Sequence, residues 1–259
     1  MGRSDLFRPT ERFEVNGVEL MVTDSGSTDA PAVLMIHGWP DTAYLWRHQI
    51  PVLVEAGYRV LAPDLRGFGR SGKPEAVEAY RVKESVTDMV GILDHAGVDS
   101  VHVVAHDWGA AVGWALALGS PERVRTLTAL SVGHPNSFGA AGLRQLQKSW
   151  YMLLFQFEGI AEEFLSGHDW ARFRAFVGDH PETDHWIESL SRPGALTASL
   201  NWYRANAHPS RLIVARPPLR NCRVPVLGMW SSRDFALSEE QMTGCQDYVD
   251  AEWEYMRIE

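Results

Sequence analysis

The 259-residue sequence has little of what would place it in a membrane, on a nucleic acid or in a disulfide scaffold. Its only two cysteines, Cys222 and Cys245, have no metal-ligand spacing around them, and we interpret both as reduced structural thiols. The sequence has no run of about 18 apolar residues, which excludes a transmembrane helix. A net charge of −9 argues against a nucleic-acid partner, which would need a basic face.

Targeting and cofactor signals are also scarce. The opening MGRSDLFRPTERFEV lacks the apolar core of a signal peptide, and leucine stands where a myristoylation signal needs Ser or Thr. A phosphate-loop spacing at 67–73 is followed by Pro74, where Ser or Thr would bind Mg²⁺. We therefore expect a cytoplasmic protein with no lipid anchor, cofactor, metal or membrane contact. The sequence carries no signal for an oligomeric state.

What is present is an alternation of short strands and helices, in a chain that is 45% apolar and long enough for one large domain. Runs rich in Val, Leu and Ile predict strands buried on both faces, as in a parallel sheet. A leading hairpin is predicted to turn at Asn16–Gly17. Alternation of this kind predicts a doubly wound α/β sheet with its chemistry at the carboxyl ends of the strands. The predicted strands are Phe13–Val18, Leu20–Asp24, Ala32–Ile36, Arg59–Ala62, Val101–Ala105, Thr126–Val132 and Val224–Trp230, and the predicted helices are Thr42–Glu55, Val82–His95 and Ala110–Leu118.

The alternation stops between residues 136 and 221, where the sequence is aromatic and helical in character with turn-rich ends. We interpret this stretch as a helical cap inserted into a core made of residues 1–135 and 222–259. Its aromatic content favours apolar or aryl ligands, although such residues more often form the core of a cap.

The most informative motif is Ala105-His106-Asp107-Trp108-Gly109, which lies between a predicted strand and a predicted helix. Small residues on both sides permit the sharp turn of a nucleophile elbow, which predicts an α/β-hydrolase fold. The alternative is an ordinary turn in which Asp107 caps the helix.

An aspartate at the centre of the elbow narrows the reaction. Attack of a carboxylate on an ester carbonyl would give an anhydride, whereas attack on an sp³ carbon gives an ordinary ester that can then be hydrolysed. Asp107 therefore predicts an epoxide or alkyl-halide substrate. A second motif, His37-Gly38-Trp39-Pro40, follows a predicted strand, and with the elbow it predicts an oxyanion hole from the backbone N–H groups of Trp39 and Trp108.

Four motifs together resemble the epoxide hydrolases of the α/β-hydrolase fold: HGWPDTAYLWRHQIPVL, DLRGFGRS, AHDWGAA and NWYRA. The resemblance runs from about Phe13 to the end of the chain. It implies two cap tyrosines that hydrogen-bond the epoxide oxygen, matched closely by Tyr203 and less tightly by Tyr151, and a triad acid matched by Asp234. Ring opening forms an alkoxide, and a phenol can protonate it at neutral pH. Each tyrosine alone is more often a packing residue.

One catalytic part implied by the resemblance is missing. The family places a histidine base after the triad acid, but all ten histidines of this sequence precede Asp234. His37 and His106 flank the oxyanion loops and are better interpreted as structural. Because the sequence stops inside the apparent last strand, WEYMRIE, we expect a truncated chain whose last strand and closing helix are incomplete.

The leading hypothesis is hydrolysis of a small apolar epoxide to a vicinal diol through an ester on Asp107. The first alternative is haloalkane dehalogenation, which shares the aspartate nucleophile and the tryptophan after it. Dehalogenases typically carry a halide-binding asparagine at the position of Trp39, and they give no reason for the tyrosine of NWYR. The second alternative is a non-catalytic ligand-binding protein on the same fold, which the missing base favours and the retained Asp107 disfavours.

Overall fold

The computed structural model describes residues 11–178, 180–212 and 217–259. An eight-stranded sheet in the order β1-β2-β4-β3-β5-β6-β7-β8 forms its centre. The pairs β1–β2 and β2–β4 are antiparallel, and every other pair is parallel. The strands are β1 Glu11–Val15, β2 Val18–Ser25, β3 Ala32–Ile36, β4 Arg59–Pro63, β5 Val101–His106, β6 Val124–Leu130, β7 Val226–Ser231 and β8 Trp253–Ile258.

Helices cover both faces of the sheet. All residues of β3 and β4 are buried, which explains why these strands read as continuous apolar runs. The α-helices are α1 Gln49–Glu55, α2 Val82–His95, α3 Trp108–Gly119, α4 Pro135–Ala140, α5 Gly142–Lys148, α6 Trp150–Leu154, α7 Ile160–Val177, α8 Thr183–Leu190, α9 Ala195–Asn206 and α10 Glu239–Thr243. Short 3₁₀ helices span Ala43–Trp46, Val77–Tyr80, Pro121–Arg123, Pro209–Leu212 and Gly244–Tyr248.

The mostly parallel α/β sheet confirms the predicted fold class, and the hairpin turns at the predicted residues. Asn16 and Gly17 have φ values of 48° and 71°, the left-handed region that a tight hairpin turn requires. The single helix predicted over Thr42–Glu55 is wrong, because the structure has a 3₁₀ turn at Ala43–Trp46 and a separate α1. Pro51 lies in the first turn of α1, where its missing N–H costs no hydrogen bond, whereas a helix begun at Thr42 would need that N–H to bond a carbonyl one turn earlier.

Between β6 and β7, residues 135–178 and 180–212 form helices and no strand. We call this segment the helical insertion. Its longest helix, α7, is interrupted at Gly167–Trp170, where His168, Asp169 and Trp170 have positive φ. Residues 179 and 213–216 of the predicted cap lie outside the described residues. The division into a core and a cap remains a prediction.

A buried ion pair fixes the loop on which the insertion rests. The Arg66 guanidinium donates from Nε and Nη2 to the two carboxylate oxygens of Asp88 on α2, at 2.6 and 2.5 Å, and both side chains are buried. The carbonyl of Arg66 accepts a hydrogen bond from Trp202 Nε1 of α9 at 3.1 Å. The core and the insertion are thus joined through the backbone of a residue that the ion pair holds in place.

Replacing Asp88 with alanine should lower the free energy of unfolding by about 3–5 kcal/mol, because it leaves a buried guanidinium without its partner. Asp94 offers a matched control on the same helix, since its pair with Arg123 is largely exposed on the Asp94 side. Asp94→Ala should cost less than about 1 kcal/mol. Urea denaturation of both variants measures the difference, and equal costs would contradict the assigned role of the buried pair.

Candidate active site

The centre of the site is a strained turn between β5 and α3. Asp107 has φ 53° and ψ −124°, a backbone conformation that a residue other than glycine adopts only when its surroundings impose it. Two glycines make the turn possible. A Cβ at Gly38 would overlap the Asp107 side chain, and a Cβ at Gly109 would overlap the carbonyls of Ile36 and His37. The small residues around Asp107 therefore serve close backbone packing at the carboxyl edge of the sheet.

The Asp107 carboxylate faces backbone donors in a largely apolar surrounding. Trp39 N–H donates to its Oδ1 at 2.7 Å. Burial raises the pKa of Asp107 to about 6, while the N–H groups of Trp108 and Trp39 act in the opposite direction. At pH 7 the group is mostly ionised and poorly solvated, which is a suitable state for a nucleophile.

The two predicted tyrosines contact each other, and both feel the charge of Asp107. Tyr151 of α6 and Tyr203 of α9 are both buried, and their ring centroids are 5.9 Å apart. Burial, reinforced by the charge of Asp107, raises the pKa of each phenol above its ordinary value. Both hydroxyls therefore stay protonated and able to donate hydrogen bonds at any physiological pH.

Asp234 lies in the loop after β7, at the same edge of the sheet. Its Oδ1 accepts hydrogen bonds from the N–H groups of Ala236 and Leu237 at 2.9 and 2.8 Å. Burial raises the pKa of Asp234, and these two donors and the nearby His106 act in the opposite direction. The carboxylate is thus oriented by its own loop.

The two histidines flanking the elbow differ in their contacts. His37 Nε2 accepts from Leu65 N–H at 2.9 Å, and burial lowers the pKa of this imidazole to about 4, so it acts as a neutral structural acceptor. His106 Nδ1 is buried and has no hydrogen-bond partner among the described residues. Burial lowers its pKa, and the Asp234 carboxylate opposes that shift.

Sequence reasoning missed a carboxyl group beside the site. Asp41, two residues beyond Trp39, accepts a hydrogen bond from Trp186 Nε1 of α8 at 2.7 Å. Burial raises the pKa of Asp41 to about 7, and the charge of Asp107 contributes to that rise. The aspartate in HGWPD was the available signal, because it lies on the same loop as Trp39. Asp41 also ties that loop to the insertion.

Within residues 11–178, 180–212 and 217–259, no cluster of three or more His, Cys, Asp or Glu side chains could hold a metal ion. No helix in the same ranges has the length and apolarity to cross a membrane. Cys222 and Cys245 are buried free thiols.

Residues 31–243 match the family model for the alpha/beta hydrolase fold. Epoxide hydrolase A of Mycobacterium tuberculosis is 37% identical over 238 residues, which cover 76% of this chain and 74% of that protein. The AB hydrolase superfamily protein YfhM of Bacillus subtilis is 36% identical over 87% of this chain and 81% of its own length. The chain belongs to the epoxide hydrolases of the α/β-hydrolase fold.

Solved structures of epoxide hydrolases share this architecture. Epoxide hydrolase A from Mycobacterium thermoresistibile superposes with a TM-score of 0.80 at 29% identity, over 96% of this chain and 90% of that one. The Bacillus megaterium epoxide hydrolase in complex with an inhibitor gives a TM-score of 0.85 at 26% identity, over 96% and 91%. These neighbours and the curated relatives identify the chain's homologues as hydrolases that act on ether bonds.

Replacing Asp107 with asparagine should raise the melting temperature at pH 7 by a few degrees, because it removes a buried charge and keeps the acceptor for Trp39 N–H. The folded-state pKa of about 6 lies above the usual 3.8, so the cost of the charged carboxylate grows between about pH 4 and pH 6 and is present in full above pH 6. The gain should therefore shrink toward zero by pH 4.

Asp29→Asn is the matched control, since Asp29 is exposed and should change the melting temperature little at either pH. Thermal unfolding at pH 7 and pH 4 provides the measurement. A loss of stability in Asp107→Asn at pH 7 would contradict a disfavoured buried charge.

Proposed function

We propose that this protein hydrolyses epoxides to vicinal diols through a covalent ester on Asp107. A carboxylate oxygen of Asp107 attacks one ring carbon, the C–O bond at that carbon breaks, and the electron pair leaves on the epoxide oxygen. The observation that carries the proposal is a buried, ionised carboxylate whose charge acts on two neighbouring buried phenols. An ester hydrolase would not need an aspartate at this position.

The tyrosines have the role of a general acid. The departing epoxide oxygen becomes an alkoxide, which is a poor leaving group unless it is protonated or strongly hydrogen-bonded. Tyr151 and Tyr203 donate to that oxygen, and solvent returns the proton once the ester has formed. In this proposal the helical insertion acts as a cap that carries both phenols to the core.

Hydrolysis of the ester completes the cycle. Water attacks the ester carbonyl, the backbone N–H groups of Trp39 and Trp108 stabilise the oxyanion, and cleavage of the acyl C–O bond returns Asp107 and releases the diol. The resemblance to the epoxide hydrolases implies a histidine after Asp234, which the acid orients and which takes the proton from this water. All ten histidines of this sequence precede Asp234, so we expect the protein made of these 259 residues to accumulate the ester.

Incubation with styrene oxide should give an adduct of the whole epoxide mass, because ring opening loses no atom. Intact mass spectrometry detects the adduct and peptide mapping locates it on Asp107. Diol release that depends on Asp107 would support the same first step, and Asp107→Asn should show neither product. Folded wild-type protein that forms neither adduct nor diol would overturn the proposal. A halide-displacing adduct from an alkyl bromide, with epoxides inert, would establish dehalogenation instead.

Replacing Tyr203 or Tyr151 with phenylalanine should slow adduct formation by about 10²-fold each, because the ring packing stays and only the donor is lost. Tyr255→Phe is a matched control, since its hydroxyl bonds Glu239 at 2.8 Å, outside the group of rings around Asp107. Adduct yield against time in the mass spectrometer gives the rates. Unchanged rates in both site variants would assign the tyrosines to packing alone.

A further inference from the structure

The ring of Phe176, near the end of α7, contacts aromatic rings from three separate parts of the chain. Five other aromatic rings have their centroids within about 6 Å of it, and their distances are Tyr151 5.4 Å, Phe235 5.5 Å, Trp39 6.0 Å, Trp150 6.1 Å and Phe155 6.1 Å. Trp39 belongs to the oxyanion loop and Tyr151 is a proposed proton donor. Phe176 therefore packs against two residues that the proposed reaction uses.

The exposed fraction of these rings falls from those at the surface to those near Asp107. Trp150 and Phe235 are each 55% exposed, whereas Trp39 and Tyr151 are buried, at 8% and 4%. Phe176 is half-buried and lies between the two groups. Phe176 thus contacts the exposed rings on one side and the buried rings on the other.

The contact between Phe176 and Phe235 crosses from the insertion to the core. Phe235 directly follows Asp234, whose carboxylate holds the loop through the N–H groups of Ala236 and Leu237. The two rings meet edge to face at an interplanar angle of 88°. This is a favourable aromatic geometry, but it is a single contact at a half-exposed position, so a ligand ring can replace it.

We propose that Phe176 and Phe235 form the entrance of the epoxide site, and that Phe176 determines specificity for epoxides bearing an aryl group. This inference rests on the proposed function. An aryl ring that follows the epoxide into the site takes the place of Phe235 against Phe176 and keeps an edge-to-face contact. An alkyl chain of similar size buries area there but does not replace that geometry.

The test measures second-order rates of adduct or diol formation for two epoxides, phenyl glycidyl ether and 1,2-epoxyhexane. Phe176→Leu keeps an apolar side chain and removes the ring, so the rate with the aryl epoxide should fall by about tenfold. The rate with the alkyl epoxide should change less than about twofold. Phe235→Ala should raise the rate with a bulkier naphthyl glycidyl ether several-fold, because it widens the entrance.

Phe157→Ala is the control, because Phe157 is a 51% exposed phenylalanine of the same insertion outside this group of rings. It should leave all three rates unchanged. Thermal unfolding of each variant shows that the fold is retained, and Phe176→Leu keeps the test informative if an alanine variant misfolds.

Equal losses for the aryl and the alkyl epoxide in Phe176→Leu would overturn the inference and reduce Phe176 to a packing residue. An unchanged naphthyl rate in Phe235→Ala would remove the entrance assignment. Failure of the proposed function gives a different result, in which wild-type protein reacts with neither epoxide. The two failures are therefore distinguishable.

Discussion

The structure depends on one costly arrangement, a carboxylate held at a positive-φ turn with little water around it. The fold accommodates Asp107 there because Gly38 and Gly109 have no side chain and let the β5–α3 turn pack closely against the loop after β3. The Trp39 N–H also donates a hydrogen bond to the carboxylate at 2.7 Å. Burial that destabilises the ionised carboxyl also keeps the phenols of Tyr151 and Tyr203 protonated, and the charge of Asp107 adds to that effect. A single environment thus keeps the carboxyl group ionised and the two phenols protonated at neutral pH.

The sequence predicted the parts of this site that local chain geometry determines. The strand-turn-helix at Asp107 and the loop at Trp39 follow from small residues and apolar runs, which carry their own signal. Tyr203 was identified through a motif, and its approach to Asp107 requires long-range packing of α9, which the sequence does not encode at any one position. The break before α1 was missed although Pro51 marks it, because proline fits the first turn of a helix and not a later turn of one that starts at Thr42.

The contacts between the insertion and the core were the least accessible to sequence reasoning. Asp41 pairs with Trp186, 145 residues away, and Phe176 meets Phe235 across the same boundary. Neither residue in either pair has a spacing that points to its partner. Such contacts depend on how a helical segment is placed over a sheet, and only the assembled fold reveals them.

Trp202 and Tyr203 are neighbours in α9, yet their side chains make different contacts. Trp202 anchors the helix to the carbonyl of Arg66, and the proposed proton donor Tyr203 lies within reach of the charge of Asp107. Substitutions that broaden the substrate range should therefore be rare in α9, where a shift of the anchor would misplace that proposed donor. Phe176, near the end of α7, contacts Trp39 and Tyr151 through ring packing, so natural or directed evolution can vary substrate choice there while those two residues stay in place.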